Sequence, residues 1–166
     1  DQWISPFTGM GRVKQKLGLW VDGKGGVPLG YHEDYPAGSG VTVTETPRVG
    51  TLEVWNLISL SVDSHPIHLH LVHFQVVSRQ PIDPVACLDP VNPQIVFTGP
   101  ARPPEPTEIG WKETVTAHPF EVLKIVARWE APGEWAQGGI LPDLSTSSGE
   151  YVWHCHILEH EEYDMI

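Results

Sequence analysis

Three histidines, one cysteine and one methionine fall between His154 and Met165, in the run His154-Cys-His-Ile-Leu-Glu-His160-Glu-Glu-Tyr-Asp-Met165. A second run, His65-Pro-Ile-His-Leu-His70, adds three more histidines. Sulfur donors beside imidazole suit copper, because two His, one Cys and a weak axial Met make up the trigonal electron-transfer site. Cys155, His160 and Met165 offer all of that set except one imidazole, which the upstream run can supply. Zinc also takes Cys and His, but it closes with a single tetrahedral set. Eight candidate ligands stand here, which is too many for one such site.

The elements that carry these residues divide them. Residues 149–156 read as a strand of aromatic and β-branched residues after Gly149, and side chains on a strand alternate between faces. His154 and His156 therefore point one way and Cys155 the other. His68 and His70 share a face for the same reason. His65 lies an odd number of residues away and across Pro66, so it can face the opposite side. Two groups follow: Cys155 with His65, His160 and Met165, and His68 with His70, His154 and His156. Since Cys155 is bonded through the backbone to both His154 and His156, its sulfur has a short through-bond route to the second group.

These residues resemble the two carboxy-terminal copper motifs of the multicopper oxidases. Within that family the likeness is to the bacterial spore-coat laccases and bilirubin oxidases, whose first motif continues as Leu-Val-x-Phe, as Leu71-Val72-His73-Phe74 does here. It runs from about Val43 to the end, and takes in the loop that begins Phe97-Thr-Gly-Pro-Ala-Arg102 and the later Gly110-Trp-Lys-Glu-Thr114. Plant and fungal laccases carry Gly where Leu71 stands, so this chain departs from their pattern. The resemblance implies that His65, Cys155 and His160 hold a type 1 copper with Met165 axial. It implies His68 as a type 2 ligand, and His70, His154 and His156 as ligands of a type 3 pair. Glu161 resembles an acid that helps deliver protons to reduced oxygen. In the family the first domain supplies the remaining cluster histidines from two His-x-His motifs. This chain has no further such motif, since His32, His73 and His118 are isolated; His73 reads as structural.

The whole chain fits that implication. A length of 166 residues suits one domain and not three, so a fragment or subunit is expected. With Pro and Gly at 16 each, the chain is cut into short segments, and it shows no long helical apolar stripe. That is an all-β composition, with strands expected over 41–44, 50–58, 69–78, 95–98, 111–117, 121–129 and 149–156, and a further one over 17–21. The resemblance makes the fold a cupredoxin-like Greek-key β-sandwich with a short helical turn after Cys155. Residues 1–40 are expected as a linker and loop region and 41–166 as the carboxy-terminal domain.

A net charge of −11 argues against nucleic acid, whose phosphates demand a basic face. No apolar run approaches the ~20 residues of a membrane helix, and the first residues show no basic and apolar leader. The resemblance alone suggests a secreted or spore-coat location. Of the two cysteines, Cys155 is better used as a thiolate, which leaves Cys87 as a small buried residue or a bridge to another domain. Glu162 and Asp164 read as solvated or structural acids.

The expected activity is laccase-like: phenols or aromatic amines oxidised one electron at a time, dioxygen reduced to water, and amino-terminal cupredoxin domains as the partner that completes the cluster. An electron-transfer cupredoxin is an alternative, but it leaves His68, His70 and His156 without a role. A copper nitrite reductase calls for no His after the Cys. A cuprous-ion oxidase usually adds methionine-rich segments, whereas this chain has only Met10 and Met165.

Overall fold

The computed structural model describes residues 18–21, 25–28, 47–48, 50–129, 152–161 and 165. The expected strand at 41–44, the start of the one at 149–156, His32, Glu162 and Asp164 lie outside the described residues. In the stretch expected as linker, β1 (Gly18–Val21) and β2 (Gly25–Pro28) pair antiparallel as a hairpin. Only the first of these two strands is visible in the sequence pattern.

The remaining strands form two antiparallel three-stranded sheets, and each successive strand switches sheet. β3 (Leu52–Ile58), β7 (Glu121–Arg128) and β5 (Phe74–Pro81) make one sheet in the order β3-β7-β5. The other runs β6-β4-β8, from β4 (His65–Leu69), β6 (Thr114–Ala117) and β8 (Trp153–Cys155). A single core lies between them, with Ile67 and Leu69 of β4, Phe74 and Val76 of β5, and Val115 of β6. Leu123, Ile125 and Ala127 of β7, and Cys155 of β8, join it, as do Val72, Ala117, Trp129 and Met165. Burial of each large apolar side chain contributes about 1.5–3 kcal/mol. The two sheets thus form the expected all-β, cupredoxin-like sandwich.

Three expected strands differ, and of the one over 111–117 only Thr114–Ala117 forms β6. The run 69–78 contains no Gly, Pro or Asn, yet the chain turns at His70 and Leu71, with Leu71 at φ 60°, and resumes as β5. The break is needed because β4 and β5 lie in different sheets. Residues 95–98 make only the bridge Ile82↔Phe97. Before them stands a short helix, α1 (Pro84–Cys87), capped by the Asp83 side chain, which accepts from the Val85 N–H at 2.9 Å. Asp-Pro is a helix-start signal that the sequence reading did not use. Cys87 is buried and free in a smaller apolar cluster with Leu60, Ile82 and Val122.

A bulge in β5 decides what faces the core. Phe74 and Val76 lie opposite Ala127 and Ile125 on the inward line of β7, and Val77 is then skipped in the register. Opposite the next inward residue, Leu123, stands Arg79 rather than Ser78. The bulge thus turns a guanidinium inward, to 3% exposure. There it donates to Glu108, which sits in a 3₁₀ turn (Pro106–Glu108), to Glu121 of β7, and to the Thr116 carbonyl of β6 at 2.7 Å.

Candidate metal centre

The sheet β6-β4-β8 carries His65, His68 and His154, and His70 and His156 stand one residue past the ends of β4 and β8. Along β4, His65, Ile67 and Leu69 are buried, whereas His68 is half-buried and His70 beyond it is exposed. The antiparallel register sets Ile67 opposite Cys155 and His68 opposite His154. Pairing continues past both ends, with the His156 N–H donating to the Pro66 carbonyl at 2.7 Å and the His70 N–H to the Val152 carbonyl at 2.9 Å. Alternation does the rest: the Cys155 thiol joins the core, and the four outer imidazoles crowd the other face.

On the core side the Cys155 Sγ lies 3.5 Å from Nδ1 of His65 and 3.5 Å from Nδ1 of His160, and those two nitrogens are 3.2 Å apart. His160 arrives on α2 (Leu158–Glu161), the short helical turn that follows the strand. From there the chain folds back: the Met165 N–H donates to the His160 carbonyl at 3.1 Å, and the Cys155 N–H to the Met165 carbonyl at 2.9 Å. Met165 is buried in the same core as Cys155. Burial first, and His160 second, push the His65 imidazole down to about 4, so it is a neutral donor with a lone pair at neutral pH. Burial pushes the Cys155 thiol up. A thiol and two imidazoles held at one spot, with a thioether in the same apolar core, form a donor set that fits copper by its softness.

On the outer side His68, His70 and His154 each bring one ring nitrogen within 4.8 Å of the others. Nε2 of His70 and Nε2 of His154 are 3.1 Å apart. The exposed His156 ring lies 5.3 Å from that of His154 and 5.7 Å from that of His68, centroid to centroid. Desolvation, followed by the neighbouring His68 and His154, lowers the His70 pKa. Nδ1 of His154 is 3.0 Å from the Cys155 carbonyl. A carbonyl only accepts, so Nδ1 carries the hydrogen and Nε2 keeps the lone pair. Glu161 Oε1 stands 2.7 Å from the same Nδ1 and 3.8 Å from Nδ1 of His156. That approach lacks hydrogen-bond geometry, so Nδ1 keeps the carbonyl as its acceptor.

Of the predicted site residues, His65, Cys155 and His160 come together on the core side and His68, His70 and His154 on the outer side; Met165 shares the core with Cys155, and His156 and Glu161 stand at the margin of the outer set. His73 is half-buried and belongs to neither. Sequence reasoning missed two features. Thr114, directly opposite His68 on β6, reaches its Nδ1 at 2.9 Å. The Arg79–Glu108–Glu121 network anchors the same β6 through the Thr116 carbonyl. Neither has a local sequence signal, because both depend on strand register.

A multicopper oxidase family model matches residues 24–137, which is well over half of the chain. The chain belongs to the multicopper oxidase family, and membership implies copper. It is similar to the laccase of Bacillus subtilis (strain 168), 48% identical over 124 residues, and to the laccase of Bacillus stratosphericus, 46% identical over 124 residues. Each alignment covers 75% of this chain and 21% of the relative, so the chain spans about a fifth of the length of these relatives. Among solved structures, the McoA multicopper oxidase from the hyperthermophile Aquifex aeolicus aligns at 26% identity and a TM-score of 0.46, over 70% of this chain and 19% of that one.

Proposed function

We propose that the chain is the carboxy-terminal cupredoxin unit of a laccase-type multicopper oxidase, with residues 41–166 as the unit and 1–40 as the segment leading into it. The substrates are phenols or aromatic amines and dioxygen, and the amino-terminal cupredoxin domains are the partner. The observation that carries this reading is the placement of two donor sets back to back across one strand. Copper bound at the core set would take electrons singly, and copper at the outer set, completed by histidines of the partner, would reduce dioxygen to water.

The chain's own residues have separable tasks. His65, Cys155 and His160 would hold the type 1 copper, with Met165 as a further donor. His68 would hold the type 2 copper, and His70, His154 and His156 the type 3 pair. Cys155 also supplies the covalent link, since both neighbours along the backbone are outer-set ligands. The apolar core around its sulfur excludes water, which is one of the factors that tune a copper potential. Glu161, whose carboxyl group stands beside His154, would pass protons toward the outer set. The substrate would meet the protein near the edge of His160, which is half-buried where His65 is buried, so access and potential, more than a fitted pocket, would select it.

The test is Cys155→Ser in the chain joined to its amino-terminal portion. Blue colour and phenol oxidation should disappear together. Retention of either would contradict the assignment.

A further inference from the structure

We propose that Thr114 is a positioning residue for the outer set: its hydroxyl, together with the Glu113 carbonyl, holds the His68 ring by Nδ1 and reserves Nε2 for the metal. The inference rests on the reading of that set as copper ligands.

His68 sits in the middle strand of its sheet, between two cross-strand neighbours at one register. On one side stands His154 and on the other Thr114. Directly opposed side chains on a sheet face stand about 5 Å apart at Cβ, within reach of a hydroxyl and a ring nitrogen. Nδ1 of His68 is 2.9 Å from Thr114 Oγ1 and 3.0 Å from the Glu113 carbonyl. Because the carbonyl cannot donate, Nδ1 carries the hydrogen and shares it between two acceptors. The ring is thereby fixed in the tautomer whose lone pair is on Nε2, which is the usual way an outer partner orients a metal-binding histidine.

The residue type suits the task. Thr is stiff at χ1, so its hydroxyl is placed before the histidine arrives. The strand under it is also fixed, because two residues further on the Thr116 carbonyl accepts from buried Arg79 at 2.7 Å. Valine has nearly the same shape and lacks only the hydroxyl, which makes Thr114→Val a clean removal. Thr114→Ser restores the hydroxyl and loses the methyl.

Two readouts test this. In the metal-free chain, at mildly alkaline pH where imidazoles are neutral, imidazole nitrogen NMR should show wild-type His68 protonated at Nδ1. Thr114→Val should gain the Nε2-protonated form, and Thr114→Ser should stay near wild type. In the chain joined to its amino-terminal portion, Thr114→Val should lose outer-set copper to a chelator about 10-fold more readily. Its type 2 spin-resonance spectrum should change while the blue absorbance is kept, and Thr114→Ser should rescue both. Equal loss of the blue copper, or an unchanged His68 tautomer with a normal outer copper complement, would overturn the proposal alone. A wild-type assembly that binds only the blue copper would overturn the reading of the outer set, and the proposal with it.

Discussion

At the scale of single residues, the parity of the His-Cys-His run was legible because it follows from covalent geometry and needs no knowledge of neighbours. The alternation that separates Cys155 from His154 and His156 is the alternation the structure shows, with Cys155 fully buried and His156 exposed. Thr114 was not legible, because its bond to His68 joins residues 46 apart through strand register. Two other residues stand out by their backbone: Leu71 at φ 60° and Phe120 at φ 52° are the non-glycine residues with positive φ among those described. A left-handed conformation costs a residue with a Cβ about 1–2 kcal/mol, and glycine itself loses about 0.5–1 kcal/mol in chain entropy. Leu71 is 62% exposed and forfeits little packing, so Leu71→Gly should leave stability unchanged or raise it by about 1 kcal/mol. Phe120 packs against the Leu60, Ile82 and Val122 cluster, and Phe120→Gly should cost about 2–3 kcal/mol in lost burial. Urea unfolding separates the two, and a loss at Leu71→Gly as large as that at Phe120→Gly would refute the distinction.

Among the elements, β3 and β7 were legible from their composition, and their observed bounds differ from the expected ranges by a residue or two. The split of 69–78 into the end of β4 and β5 was hidden, since no residue there marks a turn and the demand comes from the other sheet. The β5 bulge was hidden as well, though it is what brings Arg79 inside. Arg79 draws Glu108 below its ordinary 4.5, the hydrogen bond between them being the largest cause. The folded chain thus gives up the Glu108 proton more readily than the unfolded chain. The pair's stabilisation is therefore complete above that ordinary value and is lost as pH falls through the depressed one. Glu108→Gln should cost about 2 kcal/mol at neutral pH, between a surface pair and a fully buried one, and the gap from wild type should narrow in acid. Urea titrations at neutral and acid pH check this; a constant gap would place the effect elsewhere.

For the whole molecule, the core set is enclosed by this chain, whereas the outer set opens outward. His70 and His156 are exposed, and beside them in sequence so are Leu71 and Leu158. Exposed imidazoles next to exposed apolar side chains are what the proposed shared cluster would require of one of its two halves. An acylating reagent for imidazole should modify His70 and His156 in the chain alone and spare them once the amino-terminal portion is joined. His118, exposed on the β6–β7 turn, should react in both; equal reactivity of all three in the joined protein would count against a covered outer set. In the proposed arrangement one strand joins a complete copper site to half of another. Copper content and spin resonance, measured on this chain alone and joined to its amino-terminal portion, test it most directly. The chain alone should hold a single blue copper, and type 2 and type 3 copper and oxygen consumption on a phenol should appear only after joining. A joined protein that holds one blue copper and consumes no oxygen would contradict it.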